Sequence, residues 1–205
     1  DSTNPKSLLG DNVDAVLEDR SGTLWVGTPS GLSSTRSLTR FDGEKQQFTH
    51  YHHDPSNPYS LCNDHVVSII EDRRGSLWIG TATGALSRLE RDAAERLTFH
   101  NYTPSWAATS QPTADRVMWF CPSDSSTTDG AFWMGTDGNG VRRFDTKTNE
   151  SLHFRHDPSD PNSLPSNNVL FVFEDERGTL WVGTYHGGLA SLSRADRKTG
   201  VFRRY

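Results

Sequence analysis

Cysteine is nearly absent: Cys62 and Cys121 are the two in 205 residues. Two cysteines cannot staple a disulfide-rich scaffold, and with no C-x-x-C pair or spaced His/Cys set they make no zinc site. One bridge between them and two buried free thiols are equally compatible with the sequence. Long apolar runs are missing as well, and none approaches the ~18 residues that cross a bilayer as a helix. No long helical periodicity, nucleophile elbow or glycine-rich phosphate loop occurs. Lys and Arg number 21 against 26 Asp and Glu, and the basic residues are scattered singly, so the basic stripe of a nucleic-acid binder is lacking. With 33% hydrophobic and 23% charged residues, the balance is that of an ordinary globular chain.

What the chain has is repetition. Glu18-Asp19-Arg20-Ser21-Gly22-Thr23-Leu24-Trp25-Val26-Gly27-Thr28 returns as Glu71-Asp72-Arg73-Arg74-Gly75-Ser76-Leu77-Trp78-Ile79-Gly80-Thr81, and again as Glu174-Asp175-Glu176-Arg177-Gly178-Thr179-Leu180-Trp181-Val182-Gly183-Thr184. A worn copy, Gly130-Ala131-Phe132-Trp133-Met134-Gly135-Thr136, stands between them. The tryptophans are 53, 55 and 48 positions apart, and a period near ~50 marks stacked units that cannot bury their apolar faces alone.

Each unit opens on a run rich in β-branched and aromatic residues: Val13–Leu17, Val66–Ile70, Val117–Phe120 and Val169–Phe173. These predict strands buried on both faces. A polar turn leads to the Leu-Trp-Val strand, a glycine turn to a third strand, and a fourth strand ends on aromatics such as Phe99 and Tyr102. Four short antiparallel strands per unit predict an all-β fold: a β-propeller segment with blades at about 7–53, 54–104, 105–156 and 157–205. A residue present in every blade cannot mark one unique site, so Trp25, Trp78, Trp133 and Trp181 are expected as largely buried packing elements between neighbouring sheets.

The linkers repeat too. Asp54-Pro55-Ser56-Asn57-Pro58-Tyr59-Ser60-Leu61 leads to Val66, Asp157-Pro158-Ser159-Asp160-Pro161-Asn162-Ser163-Leu164 leads to Val169, and Asp1 to Leu8 lead to Val13 at the same offset. Together with the Glu-Asp-x-x-Gly-x-Leu-Trp-Val-Gly-Thr phrase, they resemble the two-component regulator propeller repeat over essentially the whole chain, with the third copy degraded. The resemblance implies a periplasmic or extracellular input region of a bacterial signalling receptor, often a hybrid histidine kinase. It also implies a non-catalytic sensor, with a carbohydrate-type ligand as the first class to try and no cofactor. An exported parent would have lost its signal peptide by processing.

Candidate chemistry stands beside plainer readings. His50, His52, His53, His153 and His156 lie on or just after outer strands, as solvated edge residues would. The Glu-Asp pairs cannot converge on one bond, because adjacent strand residues point to opposite faces; the Asp instead suits a hairpin turn, accepting backbone N–H bonds.

Binding needs differ between blades where packing needs do not. The slots that diverge most follow Gly-Thr or precede the first strands. They nominate Tyr185, His186, Asp137, Asn139, Thr83, His65, Asn12 and Asn168 as a ligand-binding set on one face, suited to hydrogen bonding a hydroxyl-rich ligand with an aromatic stacked on a sugar ring. No residue is expected to be catalytic or to bind metal. A propeller enzyme of the lyase type, with His186 and Tyr185 as its loose candidates, and a protein-binding scaffold are the alternatives. Four blades either close a ring, pair with a second copy into eight blades, or await further blades that complete a larger ring.

Overall fold

The computed structural model describes residues 8, 12–28, 38–72, 75–91, 96–103, 116–123 and 130–205. Their strands form four four-stranded antiparallel sheets, each a meander in chain order. The first sheet holds β1 (Ala15–Glu18), β2 (Leu24–Gly27), β3 (Leu38–Asp42) and β4 (Gln47–Tyr51), and the second β5 (Val66–Glu71), β6 (Leu77–Thr81), β7 (Leu86–Arg91) and β8 (Leu97–Tyr102). The third holds β9 (Val117–Pro122), β10 (Ala131–Thr136), β11 (Val141–Asp145) and β12 (Ser151–Phe154). The fourth holds β13 (Val169–Glu174), β14 (Leu180–Thr184), β15 (Gly188–Leu192) and β16 (Arg203–Arg204), with one 3-10 turn at Ala195–Lys198. Each sheet is a propeller blade. The chain divides into two compact units, Asp1–Thr103 and Pro104–Tyr205, with two blades in each.

The repeated phrase builds the first hairpin of blades one, two and four in the same way. Gly22, Gly75 and Gly178 take φ of 79°, 81° and 77°, a left-handed conformation that glycine adopts without steric cost. That lets Gly22, Gly75 and Gly178 donate N–H to the carbonyls of Asp19, Asp72 and Asp175 at 2.8, 3.0 and 2.9 Å. One carboxylate oxygen of the Asp caps the turn, accepting from Thr23, Ser76 or Thr179 N–H at 2.9–3.0 Å. The other accepts the indole N–H of Trp25, Trp78 or Trp181 at 2.8, 2.9 and 3.0 Å. The pKa values of Asp19 and Asp175 are depressed. Asp175 is lowered first by the Trp181 indole, and in Asp19 burial pushes upward but bonds from Ser21, Trp25 and Thr23 outweigh it. The Asp therefore fastens turn and tryptophan together, and the Glu beside it points elsewhere, as strand alternation requires.

Where that Glu goes differs between the units. Glu71 reaches back to blade one and accepts the Arg20 backbone N–H at 3.0 Å. In blade three the described acceptor of the tryptophan is Glu174 of blade four: its Oε2 takes the Trp133 indole N–H and the Ser123 hydroxyl, while Oε1 pairs with Arg197 at 2.8 Å.

Each unit has its own core between its two blades. In the first, Trp25, Ala15 and Leu38 meet Val66, Ile69, Ile79, Leu89 and Phe99. In the second, Trp133, Cys121 and Val141 meet Val169, Val172, Leu180, Val182, Ala190 and Phe202. Cys62 and Cys121 are free thiols; burial raises both pKa values, that of Cys121 to about 12.

Two expectations need correction. Trp25, Trp78 and Trp133 are buried, but Trp181 is only partly so. Of the first strands only β5 is buried on both faces, over residues 66–69; in the others Val16 is 61% exposed, Trp119 44% and Phe173 57%. The cause is shared. A side chain is buried only where another sheet lies against its face: β5 is hydrogen-bonded on one side only, like β1, β9 and β13, yet residues 66–69 are buried. Among the described residues, no helix is long and apolar enough to cross a membrane.

Candidate functional site

In blades two, three and four the threonine of the Gly-Thr pair shapes the loop that follows it. Thr81, Thr136 and Thr184 donate their hydroxyls to the carbonyls of Ala85, Gly140 and Gly188 at 2.9, 2.8 and 3.0 Å. Three residues of each loop are thereby held between fixed ends, and these are the divergent positions.

The next bond ties each loop to the segment entering a first strand. Ala82, Asp137 and Tyr185 donate N–H to the carbonyls of His65, Arg116 and Asn168 at 3.0, 2.9 and 2.8 Å. In the second unit a further bond, Gly140 N–H to Asn167 carbonyl at 2.8 Å, joins the loop of blade three to the entry of blade four.

Five of the eight nominated residues come together there. Asp137 and Asn139 lie on the blade-three loop, Tyr185 and His186 on the blade-four loop, and Asn168 at the strand entry between them, where a Cβ on Gly138 would stand 3.7 Å from its Oδ1. Asp137, Asn168, Tyr185 and His186 are exposed and Asn139 half-buried. His186 holds a positive φ of 61°, which sets its ring 3.9 Å from that of Tyr185, centroid to centroid. A non-glycine residue in this region is worth attention because it costs energy that the surroundings must supply. The blade-three loop is braced from outside, where the His153 Nε2–H donates to the Asn139 carbonyl at 2.7 Å.

His65 and Thr83 belong to the first unit. The His65 Nε2 lies 3.6 Å from a carboxylate oxygen of Asp14, and the Thr83 hydroxyl 3.0 Å from that of Thr81. Asn12 is exposed two residues before Asp14. The eight residues thus fall into two groups, five in one unit and three in the other.

The outer histidines are not all solvated edges. His53 and His156 donate ring Nδ1–H to the carbonyls of Leu61 and Leu164 at 2.7 Å each. Their backbone N–H groups bond to the Asp64 and Asn167 side chains. Those bonds tie both histidines to the Asp-Pro linkers, His156 half-buried and His53 exposed. A cavity of about 310 Å³ opens in the first unit beside Asp19, Ser76, Arg88 and Glu90, and none of the eight residues lines it. Arg88 there is engaged with Ser76, Glu90 and the Trp78 ring. Among the described residues, no group of three or more His, Cys, Asp or Glu is placed to hold a metal ion.

Sequence reasoning missed Trp119 and Phe171. Both are 44% exposed on first strands, in register with Gly135 and Gly183, two residues inward from Asp137 and Tyr185. The signal was present: at the same register positions the first unit has Ala15 and Ser68.

Residues 7–30, 60–83 and 163–186 match the family described as two component regulator propeller. Histidine kinase P4 of Formosa agariphila is 34% identical over 86 residues, and the chain spans 6% of that protein's length. The alignment takes in 42% of this chain. The extracellular domain of a putative hybrid two component system from B. thetaiotaomicron superposes with a TM-score of 0.64 at 20% identity, over 95% of this chain and 30% of that one. PorZ, a surface component of the type-IX secretion system of Porphyromonas gingivalis, gives 0.62 at 13% identity, over 98% and 29%. At such identities the two structures establish the propeller fold and nothing more.

Proposed function

The chain carries two-component regulator propeller repeats, and from that premise we propose that it is the ligand-binding input part of a bacterial signalling receptor, placed in the periplasm or outside the cell. It binds without turnover. The binding site is the cluster of Asp137, Asn139, Asn168, Tyr185 and His186 in the second unit, and the ligand is a hydroxyl-rich molecule of the carbohydrate class.

The observation that carries this reading is convergence. Residues from two blades, chosen because they break the repeat, are brought to one place by backbone bonds from loop to strand entry. The set combines carboxylate, carboxamide, imidazole and phenol groups with an exposed aromatic face, the mixture that hydrogen-bonds sugar hydroxyls and stacks on a ring. Binding without turnover is supported by the carboxylates of the repeat, since Asp19, Asp72 and Asp175 are consumed by turns and indoles.

Calorimetry against a broad set of mono- and oligosaccharides tests it. One member should bind at sub-millimolar concentration, and Tyr185→Ala should weaken that binding at least tenfold without lowering the unfolding midpoint. No heat from any sugar at millimolar concentration would remove the carbohydrate reading.

A further inference from the structure

Four of the five described tryptophans follow one rule: Trp25, Trp78, Trp133 and Trp181 give their indole N–H to Asp19, Asp72, Glu174 and Asp175. Trp119 breaks it. Its indole N–H donates to none of the described residues, no described ring lies against it, and it is 44% exposed. An indole is a large apolar surface with one polar handle, and here neither part has a partner among the described residues.

The register sets Trp119 opposite Gly135 and Cys121 opposite Trp133, and residues directly opposite share a face of the sheet. That face is the one blade four covers, since Trp133 and Cys121 pack there with Val169, Val172 and Phe202. Both flanking blades are in place, and Trp119 is still open. The plainest packing role for a ring opposite a strand glycine is to lie over that glycine, as Phe171 lies over Gly183 in blade four. In blade three the bed is taken: a Cβ on Gly135 would stand 2.6 Å from Cγ1 of Val169 and 3.5 Å from Cγ1 of Val172. The indole is kept off the glycine and left facing solvent. Asp137 lies two residues beyond Gly135, about 7 Å along the strand, and Asn168 directly precedes Val169. The open ring therefore sits just inward of the polar groups of the proposed site.

We infer that the Trp119 indole is the floor of the ligand site and its specificity-determining residue: the C–H face of a pyranose ring stacks on it while the ring hydroxyls meet Asp137, Asn139 and Asn168. The proposal rests on the carbohydrate reading above and narrows it from hydroxyl-rich molecules to cyclic sugars. A pyranose carries its hydroxyls around its rim and C–H bonds on its faces. An open-chain polyol offers the same hydroxyls and no such face. The electron-rich indole face attracts the weakly positive C–H hydrogens, and stacking removes apolar surface from water, so the ring is held and the open chain is not. Arg116 and Asp137, both exposed and joined by a backbone bond, bring one full charge of each sign, so ring shape decides rather than ligand charge.

The test titrates the nitrogen-labelled 205-residue chain with the methyl pyranosides of glucose, galactose, mannose and xylose, each matched by its open-chain polyol, at high millimolar concentration. Of the six indole N–H signals, that of Trp119 is the one Trp119→Phe deletes. At least one pyranoside should move it together with the amides of residues 137–140, and the matching polyol should move neither. Trp119→Leu should weaken that pyranoside about tenfold and Trp119→Phe clearly less, because a phenyl ring still stacks. The side chain is exposed, so both variants should keep the unfolding midpoint of the parent. Three results overturn the proposal and leave the carbohydrate reading standing: loop amides that move while the Trp119 indole does not, a polyol that binds as well as its pyranoside, or Trp119→Leu binding as tightly as the parent. If none of these sugars moves any signal, the carbohydrate reading falls and this proposal with it.

Discussion

The two units make the same joint with their charge in different places. In the first, Asp19 on the turn of blade one accepts the Trp25 indole within its own hairpin, and Glu71 of blade two adds one bond to the Arg20 backbone N–H. In the second, Glu174 reaches across from blade four to Trp133 and Ser123 of blade three, and pairs with Arg197. The Glu174 side chain is fully buried there, and the Arg197 guanidinium packs 5.3 Å over the Trp133 ring. A requirement met inside one hairpin in the first unit is met between blades in the second. The repeated indole can therefore be bound either from its own turn or from the following blade.

The largest effect should follow from removing that neighbour. Glu174→Ala leaves Arg197 buried without its partner and should cost about 3–5 kcal/mol, the scale for breaking a buried ion pair from one side. Glu71→Ala removes a bond at a partly exposed position and should cost about 1 kcal/mol or less. Urea unfolding of both variants measures the contrast, and equal losses would mean that the two joints are not built differently.

The tryptophans give a second contrast of nearly the same size. Trp133→Ala should cost about 3–5 kcal/mol, as truncation of a fully buried aromatic does, and Trp181→Ala clearly less because part of its ring already meets solvent. A loss below about 1 kcal/mol at Trp133 would remove the repeated tryptophan from the core of the account.

The turn acids predict a smaller effect with a defined sign. Asp19, Asp54, Asp157 and Asp175 are all lowered from the ordinary 3.8 by bonds that the folded chain donates to the carboxylate. A depressed folded pKa adds stability that is present above the unfolded value and lost as pH falls through the folded one. The urea midpoint should therefore hold near pH 5 and decline below about pH 4, and Asp19→Asn should flatten that decline while lowering the plateau. The thiols should show least: with both pKa values raised by burial, neither Cys62 nor Cys121 should react with iodoacetamide at pH 8 until the chain unfolds.

Much of this architecture is legible in the chain itself. The period, the strands from Val66 to Tyr102 and the Asp-x-x-Gly turn follow from residue types whose backbone demands are local. The resemblance to the regulator propeller repeat rests on the same residues, and the match over 7–30, 60–83 and 163–186 falls on them. What stayed hidden was non-local. Val16 and Ile69 look alike in sequence, and only the presence or absence of a packed sheet separates an exposed valine from a buried isoleucine. His156 resembles a solvated edge residue until the linker folds back and presents the Leu164 carbonyl to its ring. The reach of Glu174 into blade three could not be read from a pair that appears identical in blades one and two. The divergent loops were visible as divergence, but the division of the eight nominated residues between two units was not.

That division gives the most direct test of the proposed binding site. With the sugar found by calorimetry, amide chemical shifts of the labelled chain should be followed through a titration. The account predicts changes confined to 137–140, 167–168 and 184–187, together with the indole of Trp119, and none at His65 or Thr83. Changes centred on His65 and Thr83, or spread evenly over both units, would contradict it.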